Sequence, residues 1–340
     1  MKVAVGISGG VDSAVAALLL KEAGHEVVGV TMTLGRATEA AELAAARAAA
    51  ARLEVPLAVV DLAAAWRREV VESLRGEYRA GRTPNPCVTC NERVKFALLP
   101  ERAFAELGAE RFATGHYARL ERSPDGRVRL LRGRDSAKDQ SYFLYRMPAA
   151  VRERTLFPLG AMTKAEVREY ARAHGWPLAE RADSQDFCGG DVAAFIGLKP
   201  RRGATVTRAG AVVGHHDGYW NFTPGMRKGL GTGGGGAVYH VLSTRPAANE
   251  VVVGSREEAS ALTVRVKSLV RLARDFAAEP TALAVKLRST GEPRPLAALA
   301  DGGEELRLTL SEPVLGVSPG QSAVVYRGDE VVAGGIIEGT

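Results

Sequence analysis

Ser8-Gly9-Gly10-Val11-Asp12-Ser13 follows a short apolar run, Lys2-Val3-Ala4-Val5-Gly6-Ile7, and precedes a helix-favouring stretch from Ala14 to Ala23 that Gly24 ends as a C-cap. A glycine-rich turn between a first strand and a helix exposes backbone N–H groups and aims the helix N-terminus at an anion. Gly9 and Gly10 permit positive φ and close approach of the backbone to a ligand, and Ser8 and Ser13 add hydroxyl donors. A second apolar run, Glu26 to Met32, comes next, then an alanine-rich helical stretch from Thr38 to Leu53 and a strand signal at Pro56 to Val60. Strand and helix alternate, which predicts a parallel sheet covered by helices, an α/β fold.

The alternation resumes with a helix around Val94 to Leu107 and a strand at Arg111 to Thr114. Asp125-Gly126, between two short runs, reads as a hairpin turn. Thr163-Lys164-Ala165-Glu166 reads as a capping box opening a helix that ends near His174-Gly175. Residues 1–199 therefore read as one α/β catalytic domain. After Pro200 the chain is glycine-rich, including Gly233 to Gly236, so residues 200–258 read as a small central domain. From residue 259 to 340, runs such as Leu262 to Val266 and Ala323 to Tyr326 alternate with Gly/Pro/Asp turns, which predicts a β-barrel.

The chain has 340 residues, too many for one small core, and its 46% hydrophobic and 25% charged composition is that of a globular protein. No apolar run is long enough to cross a membrane, and strand-like residues starting at Lys2 leave no room for a signal peptide. Three cysteines do not make a secreted disulfide scaffold, so the expected compartment is cytoplasmic. The net charge of +6 suits a phosphate-bearing partner but does not single one out.

The phosphate loop lacks the Gly-x-x-x-x-Gly-Lys-Ser/Thr of Walker loops and the Gly-x-Gly-x-x-Gly of dinucleotide folds. Two of the cysteines, Cys87 and Cys90, close a proline-stiffened segment, Gly81-Arg82-Thr83-Pro84-Asn85-Pro86, that leads into a helix. A thiol near a helix N-terminus is expected to have a lowered pKa and to offer thiolate at neutral pH. By spacing alone the Cys-x-x-Cys fits a redox pair, half of a metal site or coincidence. The third cysteine closes Asp183-Ser184-Gln185-Asp186-Phe187-Cys188.

The loop Ser8 to Ser13 resembles the PP-loop of ATP pyrophosphatases, which cleave ATP between the α and β phosphates. Six further motifs follow in order: Gly81 to Asn91, Thr114-Gly115-His116-Tyr117-Ala118-Arg119, Lys138-Asp139-Gln140-Ser141-Tyr142-Phe143, Ser184 to Cys188, Gly225-Met226-Arg227-Lys228-Gly229-Leu230-Gly231 and Pro319-Gly320-Gln321. With them the chain is similar, nearly end to end, to the tRNA-specific 2-thiouridylase family. That resemblance implies a PP-loop domain, a central domain and a tRNA-contacting β-barrel. It implies adenylation by ATP of the C2 oxygen of the wobble uridine, then sulfur insertion at C2 with release of AMP and pyrophosphate.

Carried over, Cys90 is the nucleophile, Cys188 bears the persulfide, and the two can close into a disulfide. The ATP contacts fall on Gly6, Ile7, Ser8, Gly9, Gly10, Val11, Asp12, Ser13, Met32 and Gly115, with Asp12 a candidate to help hold Mg²⁺. The tRNA contacts fall on Asn85, Pro86, Cys87, His116, Lys138, Asp139, Gln140 and Gln321. The resemblance also implies a sulfur donor such as a cysteine desulfurase or relay protein. Many family members carry Asp where this chain has Cys87, so Cys87, Cys90 and Cys188 form a three-thiolate set that suits a 4Fe–4S cluster as an alternative to the persulfide. Phe222 to Gly229 and Arg288-Ser289 also depart from the family pattern, at positions tied to RNA docking. Other PP-loop ligases do not need the paired cysteine motifs, and an RNA-binding module without chemistry does not need Ser8, Asp12, Cys90 and Cys188.

Overall fold

A computed structural model describes residues 1–176, 197–232 and 238–340. Its first sheet contains β1 (Lys2–Gly6), β2 (Glu26–Thr33), β3 (Leu57–Asp61) and β4 (Arg111–Ala113). A hairpin, β5 (Ala118–Arg122) and β6 (Val128–Arg132), comes before the last short strand, β7 (Thr155–Leu156). The strand order is β3-β2-β1-β4-β7 and every pairing is parallel. The chain winds outward from β1 in one direction through β2 and β3, then returns to β1's other edge with β4. In such a sheet the crevice outside the carboxyl ends of the two central strands is where ligands bind.

The first helix, α1 (Val11–Glu22), begins three residues earlier than composition suggested. Gly10 is its extended N-cap, so Val11, Asp12 and Ser13 lie within the first turn, and their N–H groups lack intrahelical partners. The alanine-rich α2 (Glu39–Leu53) buries Ala46, Ala49, Ala50 and Leu53 in the core shared with β1 and α1. Thr163 and Glu166 form the reciprocal capping box that opens the helix Lys164–Ala173. Among the described residues no helix is long and apolar enough to cross a membrane.

Beyond residue 200 the described residues form β-strands joined by loops and short 3-10 turns. Four strands, β8 (Gly203–Thr207), β9 (Val212–His216), β10 (His240–Arg245) and β11 (Glu250–Gly254), pair in the order β10-β11-β8-β9. The last domain has β12 (Ser260–Arg271), β13 (Leu283–Lys286), β14 (Arg294–Asp301), β15 (Leu306–Leu315), β16 (Ser322–Arg327) and β17 (Glu330–Gly339). Their order is β12-β15-β14-β13-β16-β17, and β17 pairs back onto β12, so these six strands close on themselves as a barrel. Alternate residues such as Val264, Val266, Leu306, Leu308 and Leu310 fill its core.

By internal contacts the described chain forms two units. One holds residues 1–70, 87–176 and 329–331, the other 71–86, 197–328 and 332–340. The segment Val71–Pro86, which lies inside the expected 1–199 domain, thus packs with the central and C-terminal strands.

Candidate active site

The loop after β1 is built from backbone. Gly9 has φ +80, and a Cβ there would stand 2.5 Å from the Ala45 Cβ, so only glycine against a small helical residue allows this approach. Ser13 Oγ donates to the Gly10 carbonyl at 2.9 Å and accepts from the Ser8 N–H at 3.2 Å, which ties the loop to the helix it opens. From the other central strand, Gly115 follows β4. A Cβ on Gly115 would meet the Asp12 carbonyl carbon at 2.7 Å and the Ser13 nitrogen at 2.9 Å. The two loops thus meet backbone to backbone at the switch point of the sheet. Gly6 and Ile7 lead into this junction, and the half-buried Met32 lies one residue before the end of the neighbouring strand β2.

Asp12 projects from the first turn of α1, where a carboxylate suits the helix dipole. Its carboxylate accepts from the Tyr117 hydroxyl at 2.8 Å and from Lys164 Nζ at 2.7 and 2.8 Å. The Lys164 side chain is only 9% exposed and that of Asp12 is 30% exposed, so the ion pair is shielded on the lysine side. Sequence reasoning missed Lys164 and Tyr117. A signal existed for the first: a lysine at the first position of a helix opposes the helix dipole and calls for another reason to be there. A carboxylate offers about four lone-pair sites, so three accepted bonds leave its exposed side open to a cation such as Mg²⁺.

The cysteines differ from expectation in two ways. Pro86 starts the helix, as proline at a first helical position often does, so Cys87 and Cys90 lie within Pro86–Cys90 and not in a loop before it. The helix continues as a π segment, Asn91–Leu98, with Phe96 at φ −112 and ψ 16, and then runs to Leu107. Neither thiol is lowered in pKa. Burial raises both, more than the nearby Lys95 charge lowers them, and the Cys87 thiol adds to the rise at Cys90. The lowered pKa expected from the position near a helix start is thus not found; desolvation is the largest influence on both thiols. Lys95, on the same helix, acts electrostatically on both thiols and on His116, and sequence reasoning did not single it out.

His116 packs its ring against Phe96 and Phe157, with centroids at 5.4 and 5.9 Å, and its Nδ1 is 2.7 Å from Thr114 Oγ1. Burial holds its pKa well below the usual imidazole value, so it is neutral at pH 7. Cys188 lies outside the described residues, and among these no group of three His, Cys, Asp or Glu is placed to hold a metal ion. Of the three cysteines named for a cluster, Cys87 and Cys90 lie among the described residues.

Residues 1–189 match the family described as "tRNA methyl transferase HUP domain". Residues 195–255 match "tRNA methyl transferase PRC-barrel domain", and 260–337 match "Aminomethyltransferase beta-barrel domain". The chain is 46% identical to the tRNA-specific 2-thiouridylase MnmA of Acidithiobacillus ferrooxidans, covering 100% of this chain and 99% of that protein. It belongs to the tRNA-specific 2-thiouridylase family. A second relative, the tRNA-specific 2-thiouridylase MnmA of Geobacter metallireducens, is 40% identical over 99% of this chain and 96% of its own length. A solved 4-thiouridine synthetase–RNA complex with bound ATP aligns at TM-score 0.36 and 20% identity, over 55% of this chain and 44% of that one. The domain descriptions say methyl transferase where the full-length relatives say thiouridylase. The full-length relatives carry more weight, because they match the whole chain.

Several positions that the family resemblance marks for tRNA are engaged inside the protein. The Asp139 side chain is fully buried, and its carboxylate accepts from the N–H groups of Gly133 and Ser141. Gln140 uses its amide oxygen on the Tyr117 N–H at 2.9 Å, and Lys138 is half-buried on the same turn. Asn85 and Pro86 are half-buried just before Cys87. In the second unit, Gln321 donates its side-chain N–H to the Thr83 carbonyl at 2.8 Å, and the Thr83 N–H donates to Pro319. Arg82 forks onto both oxygens of Glu338 at 3.1 and 2.9 Å and reaches Glu77 at 2.6 Å. The loop ahead of the cysteines is therefore fixed to the turn between β15 and β16 and to β17.

Proposed function

We propose that this chain is a tRNA-uridine 2-sulfurtransferase: it adenylates the C2 oxygen of the wobble uridine with Mg-ATP and replaces that oxygen by sulfur. The observation that carries the nucleotide half is the backbone junction of Gly115 with Asp12 and Ser13 at the sheet's switch point. It fixes a row of N–H donors and a helix N-terminus where a pyrophosphate needs them. Lys164 and Tyr117 keep Asp12 in place, and its open side serves Mg²⁺ accompanying the nucleotide.

The uridine C2 oxygen attacks the α-phosphorus and pyrophosphate leaves. The terminal sulfur of a Cys188 persulfide, deprotonated, attacks C2, and the C2–O bond breaks with AMP as leaving group. Cys90, as thiolate, then attacks the Cys188 sulfur and breaks the S–S bond. This leaves 2-thiouridine and a Cys90–Cys188 disulfide, which an external thiol must reduce. A sulfur donor such as a cysteine desulfurase or relay protein renews the persulfide. The roles of Cys90 and Cys188 rest on family membership. Raised thiol pKa values at Cys87 and Cys90 accord with thiols kept protonated until substrate arrives. The target base has to be splayed from the anticodon stack to reach such buried groups.

The test combines purified protein, Mg-ATP, a persulfide source and unmodified tRNA, with nucleosides read by mass spectrometry. One AMP and one pyrophosphate per 2-thiouridine is the expected result. ATP cleavage without thiouridine would reject the sulfur half, and metal analysis of anaerobically purified protein reports whether iron and acid-labile sulfide take the place of the persulfide.

A further inference from the structure

The turn from Gly133 to Ser141 is bound to the phosphate loop through Tyr117. Asp139 closes the turn by accepting from the N–H groups of Gly133 at 3.1 Å and Ser141 at 3.0 Å, from the Ser141 hydroxyl at 3.0 Å and from Arg132 Nε at 3.3 Å. The closed turn grips the Tyr117 backbone from two sides. A Cβ at Gly133 would lie 2.7 Å from the Tyr117 carbonyl oxygen. Gln140 donates its N–H to that same oxygen at 2.8 Å and accepts from the Tyr117 N–H through its side-chain oxygen at 2.9 Å. The phenol of Tyr117, itself only 3% exposed, then donates to Asp12 at 2.8 Å. The second group on Asp12 has the same anchor, because the Lys164 N–H donates to Asp135 in this turn at 2.9 Å.

A carboxylate set beside a polyphosphate is repelled by it and keeps one geometry only if its donors are rigid. We propose that the turn carrying Lys138-Asp139-Gln140 is a positioning device for the nucleotide site: Asp139 closes the turn, and Gln140 through Tyr117 holds the Asp12 carboxylate. Tyr117 and Gln140 are positioning residues. Only the identity of the nucleotide is taken from the function proposed above.

The test measures Mg-ATP affinity by calorimetry, pyrophosphate release, tRNA affinity and melting temperature for Tyr117→Phe, Gln140→Ala and Gln140→Glu. Loss of one hydrogen bond to a charged group should weaken Mg-ATP binding or slow pyrophosphate release about ten- to a hundredfold in Tyr117→Phe, with tRNA affinity changed less than about twofold. Gln140→Ala should shift the same parameters in the same direction. Gln140→Glu keeps an oxygen for the Tyr117 N–H and should restore most of the loss. Unchanged ATP parameters with weakened tRNA binding in Gln140→Ala would overturn the proposal. So would a lowered melting temperature with unchanged ATP parameters. Calorimetric ATP affinity needs no turnover, so an absence of thiouridine in the parent protein, which would defeat the proposed function, is read separately.

Discussion

The phosphate loop and the cysteine helix solve opposite problems with similar means. The loop is open to charge. Glycine, serine and a helix start present N–H groups, and its single carboxylate is neutralised by a shielded lysine. The cysteine helix is closed to charge. Both thiols are pushed up in pKa by burial, His116 is held neutral by burial, and Lys95 is the charge that acts on all three. One region is built to receive an anion at any moment. The other keeps its thiols uncharged until a compensating charge arrives. The lesson is that a position near a helix N-terminus does not by itself fix the ionisation of a thiol: at Cys87 and Cys90 burial is the largest influence, and it raises both.

That contrast breaks most sharply at Cys90. Cys90→Ser should lower 2-thiouridine formation by at least about a thousandfold while Mg-ATP affinity stays unchanged, because the role proposed for Cys90 is confined to the sulfur step. If ATP affinity falls as well, the two regions are not separable.

At the loop, Gly115→Ala forces a methyl group into the Asp12 backbone at 2.7 Å. Overpacking of about 1–3 kcal/mol should weaken Mg-ATP binding about ten- to a hundredfold, with thiol alkylation rates unaffected. Calorimetry beside a labelling time course checks both halves.

The cysteine side is sharpened by pH. In a Cys188→Ser background, alkylation of Cys87 and Cys90 should be slow at pH 7 and should climb only above the usual thiol range, since burial raises both pKa values. Lys95 lowers them, so Lys95→Gln should move the reactivity profile to still higher pH. A profile that moves down would show that Lys95 does not stabilise the thiolates.

The smallest effect concerns the loop ahead of the cysteines. Gln321→Ala removes one bond to the Thr83 carbonyl and should cost about 1 kcal/mol, seen as a modest rise in protease sensitivity around residues 79–86. Arg82 and Glu338 keep the loop attached in that variant.

Much of this was written in short-range pattern. Lys2 to Ser13 announces strand, glycine turn and helix within a dozen residues, and the Thr163/Glu166 capping box is visible three residues apart. The start of the thiol helix is not legible in sequence because Pro86 signals both a stiff loop and a helix start, and only packing settles which. Lys164 and Tyr117 were passed over because their partner, Asp12, lies 152 and 105 residues away in sequence. Likewise Gln321 faces Thr83 across 238 residues, a pairing that no periodicity encodes.

By itself, then, the sequence determined the parallel α/β domain, the anion-binding loop and the β-rich end, because those follow from local glycine placement and hydrophobic alternation. Tertiary structure alone decided the protonation tendency of the thiols, the partners of Asp12 and the inward use of Asp139 and Gln140. Each of these depends on desolvation or on hydrogen bonds between groups far apart in the chain, and the free energy of a charge is set by what finally surrounds it.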